Sequence, residues 1–470
     1  MNTHRTDILI IGGGPGGYAA AFRASDLGKQ ITLVEADNRL GGTCLLRGCI
    51  PSKALLHAGA LIAEAREAKA WGLSFAQPEI DLDKMRDWKN NIVDRLSNGL
   101  AGLVRQRKID HMQGLARFES STSVAIEGND TVDRVEFNHA IIATGSRPAI
   151  LRTFALDSPR IMDSTSALEL EEIPKRLLVV GGGIIGLELG LVYAELGSEV
   201  TVSELTDGLI PGCDRDLIRP LENRLKRVFK GIHINTRVTH VEAFHDHLEV
   251  SLEGDLQTAH QVFDRILISV GRHPNTDHLG LENTAVETDD QGFVQVNAQM
   301  RTKDEHILAI GDIVPGPGLA HKASHEGKIA AEVLAGESVA FDAIIPAVVY
   351  TDPEIAWCGL TETQARAENI PVEISRFPWA ASGRAATLAR TEGLTKLVVE
   401  PHTHRILGVG IVGPNAGELI AEGVLAVEMA AVAEDLAHSI HPHPSLAESI
   451  GIAAEIHLGS ATDLYMPKKK

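Results

Sequence analysis

A strand, glycine turn and helix written twice in one chain constrain this sequence more than any other feature. The stretch "DILIIGGGPGGYAAAFRASDLGKQITLVEAD" reads as strand, turn, helix and second strand, with Gly12, Gly14 and Gly17 spaced G-x-G-x-x-G and Glu35 closing the second strand. The stretch "RLLVVGGGIIGLELGLVYAELGSEVTVSEL" repeats the pattern with Gly181, Gly183, Gly186 and Glu204. The first glycine of each set permits a tight turn. The second lets backbone N–H groups approach a pyrophosphate at a helix N-terminus, and the third lets helix and strand pack closely. Each acid is then placed to accept hydrogen bonds from ribose hydroxyls.

Two such units predict two dinucleotide sites. The simplest pair is FAD on the first unit and NAD on the second, so that hydride passes between them. Glu204 repels a 2′-phosphate and "SELTDG" offers no adjacent arginine to receive one, which favours NAD over NADP. The net charge of −19 over 470 residues argues against a nucleic-acid partner. The N-terminus runs straight into a strand-like stretch without a secretory pattern, and the longest apolar run is broken by glycines and two glutamates. A cytoplasmic protein with no membrane partner is expected, its length dividing into three or four domains.

Half of the chain's four cysteines stand in "GGTCLLRGCIPSKALLH". In a reducing compartment, Cys44 and Cys49 are catalytic or metal-binding more often than structural. A regular helix sets such positions on different sides of its axis, so any bridge needs a local distortion, which Gly41, Gly42 and Gly48 permit. Zinc needs two further ligands, and Cys213 and Cys358 lie in unrelated segments. Two inert thiols remain the alternative. "AIIATGSRP" and "RILISVGRHPN" read as apolar strands that close each nucleotide unit, and "HILAIGDIV" as a buried strand carrying Asp312 to its carboxyl edge. Asp312 reads either as a ligand-site acid or as a turn residue. Beyond residue 345 strands and helices mix, ending in "HSIHPHPSLAESIG", where His441 and His443 are open to catalytic, metal and surface-turn readings. The "PKKK" end reads as a solvated tail.

Together, "GGTCLLRGCIPSKALLH", "GGGIIGLE", "AIGD" and "HPHPSLAE" make the chain resemble the pyridine nucleotide-disulfide oxidoreductases from about residue 6 to 465. The resemblance implies an α/β fold: two Rossmann-like dinucleotide-binding domains, a central domain and an α+β dimerisation domain. The expected bounds are 1–148 for FAD, 149–271 for NAD, 272–345 for the central domain and 346–470 for dimerisation. It further implies a homodimer and a redox-active Cys44–Cys49 disulfide beside FAD. Cys44 exchanges with a dihydrolipoyl dithiol on a lipoylated carrier protein or on the acyltransferase core of a multienzyme complex, and Cys49 contacts the flavin. His443 serves as base, oriented by Glu448, while Lys53 and Glu188 sit between flavin and nicotinamide. Thr43, Lys53, Gly114, Thr144, Gly145, Asp312 and Ala320 join the first motif in holding FAD. Val238 and Gly271 join the second in holding NAD.

Departures from the pattern are few. Leu45-Leu46-Arg47 stands where Leu-Asn-Val is usual, and Arg47 either lowers a neighbouring thiol's pKa or faces solvent. Pro442 replaces alanine and Ser445 threonine. Competing readings are an isoform serving a dedicated lipoyl protein and an NADPH-dependent disulfide reductase, which should carry basic residues near Glu204. Mercuric reductase should carry paired C-terminal cysteines, which "DLYMPKKK" lacks. A flavin-bearing scaffold without catalysis would not need the cysteine, lysine and histidine set.

Overall fold

In the computed structural model, which describes residues 2–129, 131–254 and 259–465, the strand Thr3–Ile11 lies between Ile31–Glu35 and Arg134–Ile142. All three run parallel, with Ile10 opposite Leu33 and Ile141. Continuous apolar runs are what strands covered on both faces require. Ile8, Ile10, Leu33 and Ile141 pack beneath the helices Pro15–Asp26 and Ala320–Ala335. On the opposite face Leu9, Ile11 and Ile142 pack against Phe118 and Val124 of an antiparallel hairpin. The inner end of Arg134–Ile142 also pairs in parallel with Ile307–Ala309, Ile307 opposite Ala140. A distant segment therefore completes the first sheet and delivers Asp312 just beyond its carboxyl edge.

The second unit repeats this design. Five parallel strands run in the order Gly231–His233, Glu199–Ser203, Arg176–Val180, Arg265–Ile268 and Ile161–Met162. The helix Ile184–Leu196 follows the glycine turn, and a three-stranded antiparallel sheet covers the other side. Ser146–Pro148 and Arg272–Pro274 pair antiparallel where the chain passes between the two units. After residue 345 the chain forms a five-stranded antiparallel sheet flanked by Ala416–Glu428, Ala433–His438 and Glu448–Leu458. This is the mixture of strands and helices the sequence led one to expect. The "PKKK" end lies outside the described residues.

A buried charge cluster joins this last sheet to the second unit. Lys396, 1% exposed, places Nζ 2.7 Å from Asp214 Oδ2, 2.7 Å from Asp216 Oδ1 and 3.0 Å from Glu362 Oε2. The three acids converge as a cation site would, but their centre is an ammonium. Burial pushes the Asp214 and Asp216 carboxyls up, and Lys396, with Thr363 at Asp214 and Arg376 at Asp216, outweighs it, holding both below the ordinary range. Buried charges persist only when paired in this way.

Candidate functional site

Both glycine turns have the shape their spacing predicts. Gly12 and Gly181 sit at φ +108° and +105°, where a side chain is strained. A Cβ on Gly17 would lie 1.8 Å from the Gly12 carbonyl oxygen, and one on Gly186 2.3 Å from that of Gly181. These third glycines thus pack against the turn from behind.

Each acid at the end of a second strand is locked onto its turn. The Gly13 and Asp37 N–H groups donate to the two oxygens of Glu35. Gly182 N–H donates to Glu204 Oε2 at 2.6 Å, while Thr206 N–H and its hydroxyl both donate to Oε1 at 2.7 Å. Burial raises the Glu35 pKa, and the bonds from the backbone partly offset that rise.

One continuous cavity of about 1740 Å³ runs from the first glycine turn to the second. It exceeds the few hundred to thousand Å³ of an ordinary ligand site and has a ribose-type acid at each end, which fits two dinucleotides meeting in the middle. Of the candidate residues, all but four line it. Gly17 and Gly186 lie behind their turns, and His443 and Glu448 are elsewhere in the chain.

The cysteine helix is broken where the sequence allows. Gly42–Arg47 ends at Gly48, whose φ −146° and ψ −110° interrupt the axis, and Cys49–Glu67 begins anew. Cys44 and Cys49 meet across this break, close enough for one sulfur to donate to the other. Donation from Cys44 brings the Cys49 thiol down to about 7 against the opposing effect of burial, with the Lys53 ammonium assisting. The same bond, with burial, pushes Cys44 up. The Lys53 ammonium lowers both thiols, and the bond between them favours a single negative charge shared by the pair.

Lys53 Nζ lies 2.7 Å from Glu188 Oε2 in the wall between the two glycine turns. Glu188, 3% exposed, also accepts from the Ser52 hydroxyl at 3.2 Å and from Tyr350 N–H at 2.9 Å. The Tyr350 ring lies under Lys53 Nζ, 4.6 Å from its centre. Sequence reasoning missed both partners. Ser52 stands beside Lys53 without a motif of its own, and Tyr350 arrives from the last sheet through the fold alone.

Asp312 lies in the short turn Gly311–Ile313, lines the cavity and accepts from the Ser146 hydroxyl at 2.5 Å. Arg272 Nε donates to that same hydroxyl at 2.7 Å. In "GRHPN" the residue after Gly271 is therefore a support for the first unit's acid.

The histidines separate. His441 Nε2 meets Glu422 at 2.7 Å, whereas His443 Nδ1 meets Glu448 Oε1 at 2.9 Å, so the two rings do not share a ligand set. Ser445 N–H donates to Glu448 Oε2 at 2.7 Å and its hydroxyl accepts from Glu448 N–H at 3.4 Å, a reciprocal cap that fixes the carboxylate. The His443 side chain is 78% exposed. Arg47 corrects both sequence expectations for it. Its guanidinium is neither set against a thiol nor free in solvent, but is ion-paired with Asp37 beside Glu35.

Comparison with known proteins agrees with this geometry. The model of the pyridine nucleotide-disulphide oxidoreductases matches residues 6–327, and that of their dimerisation domain matches 345–454. Dihydrolipoyl dehydrogenase of Vibrio parahaemolyticus is 47% identical over 99% of this chain and 98% of its own. That of Haemophilus influenzae is 48% identical over the same shares. Among solved structures, LpdA from Mycobacterium tuberculosis superposes with a TM-score of 0.89 at 27% identity, covering 97% of this chain and 99% of the other. The Cu(II) complex of the HOCl-induced flavoprotein disulfide reductase RclA from Escherichia coli gives 0.86 at 26%, covering 97% and 100%. Among the described residues no helix is long and apolar enough to cross a membrane. With motif, cavity and nearly full-length similarity in agreement, the chain belongs to the pyridine nucleotide-disulphide oxidoreductase family.

Proposed function

We infer that the protein oxidises dihydrolipoyl groups to lipoyl groups and reduces NAD+ to NADH, as a dihydrolipoyl dehydrogenase using FAD. The observation that carries this reading is the position of the Cys44, Cys49 and Lys53–Glu188 group midway along one cavity with a dinucleotide turn at each end. When bound, FAD relays two electrons from the thiols to NAD+. The remaining chemistry belongs to the chain. With the cysteines oxidised to a disulfide, a substrate thiolate attacks Cys44, forms a mixed disulfide and frees the Cys49 thiolate. The second substrate thiolate then attacks the first substrate sulfur, closing the lipoyl ring and releasing Cys44. His443 takes the proton from the attacking thiol at Nε2 while Glu448 holds Nδ1 and stabilises the cation. Lys53 favours the negative charge on Cys49.

The reading carries the domain division at 148, 271 and 345, a homodimer as the working unit, a cytoplasmic location and a lipoylated carrier protein or acyltransferase core as partner. Purified holoprotein given dihydrolipoamide and NAD+ should form NADH. A flavin-loaded, reduced preparation that forms none overturns the reading.

The assignment of the two thiols has its own test. In a Cys44→Ser holoprotein no disulfide can form. A long-wavelength thiolate-to-flavin absorption should then appear. Because the Lys53 ammonium favours the charged form of Cys49, the thiolate is favoured as pH rises, and the band should fade as pH falls. Lys53→Met should move the midpoint upward. A band in Cys49→Ser and none in Cys44→Ser reverses the roles.

A further inference from the structure

Arg47 ends the helix Gly42–Arg47, one turn after Thr43, and reaches back across the mouth of the groove to Asp37. Asp37 is not an isolated surface acid. Its N–H donates to Glu35 Oε1 at 2.9 Å, while the other oxygen of Glu35 holds Gly13 N–H. One chain of bonds therefore runs from the first glycine turn through the ribose-type acid and Asp37 to the helix that carries Cys44. Asp37 and Arg47 both line the cavity, with side chains 35% and 36% exposed.

A pair this exposed adds at most about 1 kcal/mol to folding, so stability alone gives little reason for it. Its position gives a better one. A guanidinium has five donors, and Asp37 holds one of its nitrogens beside the end of the groove where the first motif would receive an adenosine ribose and a diphosphate. Charge-assisted bonds to phosphate and hydroxyl oxygens are the strong kind.

We propose that the Arg47–Asp37 pair is a latch across the adenosine half of the FAD groove and that it governs how fast FAD leaves. The two sides of the latch come from different segments, the loop after Ile31–Glu35 and the cysteine helix, so the cofactor cannot leave by that side until the pair parts. The proposal rests on FAD occupying this groove, which the flavin content of the wild-type protein tests separately.

The experiment follows the rise in free-flavin fluorescence when wild-type, Arg47→Leu, Arg47→Lys, Asp37→Asn and doubly substituted holoproteins are diluted into a mild chaotropic salt. Arg47→Leu should release FAD about tenfold faster, Asp37→Asn several-fold faster, and the double variant no faster than Arg47→Leu, because the two residues act as one unit. Arg47→Lys keeps the charge without the planar fork and should fall between. The pH dependence of thiol alkylation in the reduced proteins should not move, since Arg47 is not set against Cys44 or Cys49. Wild-type release rates in both Arg47→Leu and Asp37→Asn overturn the latch. A shifted alkylation profile with unchanged release overturns it in favour of thiol tuning. If Arg47→Leu does not fold, Asp37→Asn and Arg47→Lys decide the matter on the same readout.

Discussion

Heterodimers that pair a Cys44→Ser chain with a His443→Ala chain should regain about half of wild-type lipoamide activity, although each parent homodimer should retain about 1% or less. Loss of a positioned base costs about a hundredfold to ten-thousandfold, and loss of Cys44 removes the exchanging sulfur. The expectation comes from where the residues lie. The cysteines line the cavity of their own chain, while His443 does not line it and is 78% exposed. Glu448 nevertheless holds the His443 ring in a fixed orientation through Nδ1, and Ser445 holds Glu448. A ring fixed away from the cysteine cavity of its own chain suits a site completed by a second copy, and it lies in the segment matched to a dimerisation domain. In the mixed dimer one site then carries both substitutions and the other neither. Differently tagged, co-expressed chains allow the heterodimer to be purified, and independent sites set the value at one half. Activity no higher than that of the better parent would mean that His443 serves its own chain.

The contrast between Glu35 and Arg47 shows what the sequence could and could not reveal. Glu35 and Glu204 were legible because strand, turn and strand are contiguous, so spacing alone brings each acid to its glycine turn. Asp312 was legible as an acid at the edge of a buried strand, although that strand's pairing with Arg134–Ile142 was not. The break between the cysteines was legible too, since a Cβ at Gly48 would lie 2.8 Å from the Thr43 carbonyl oxygen. Partners supplied by tertiary packing were not. Tyr350 reaches Glu188 from the last sheet, and Arg272 reaches Ser146 from the strand that pairs with it. Arg47 was read against the neighbouring thiols or solvent, whereas its partner Asp37 comes from the loop beyond the second strand. The same limit applies to His443, whose local partner Glu448 lies five residues on in sequence but which does not line the cysteine cavity of its own chain.

With lipoamide as oxidant, NADH should exceed NADPH in kcat/KM by at least about a hundredfold, a discrimination of about 2.7 kcal/mol. Glu204 is 7% exposed and cannot swing aside, because Gly182 N–H holds one oxygen while Thr206 N–H and its hydroxyl hold the other. A 2′-phosphate brought to the ribose position meets that fixed carboxylate and also forfeits the hydrogen bonds of the hydroxyl it replaces. Two unit charges 4 Å apart repel by about 4 kcal/mol at an effective dielectric of 20, more than the discrimination requires. The structure adds one cation that the local sequence did not offer. Arg237 lines the same cavity, but its Nη2 is taken by Glu253 Oε2 at 2.8 Å. Glu253→Gln should therefore improve NADPH use by several-fold while NADH remains preferred. Glu204→Ser removes the repulsion itself and should collapse most of the ratio, chiefly through a lower KM for NADPH. Comparable wild-type efficiencies with the two nucleotides, or a ratio that Glu204→Ser leaves unchanged, would place the source of nucleotide choice elsewhere in the cavity.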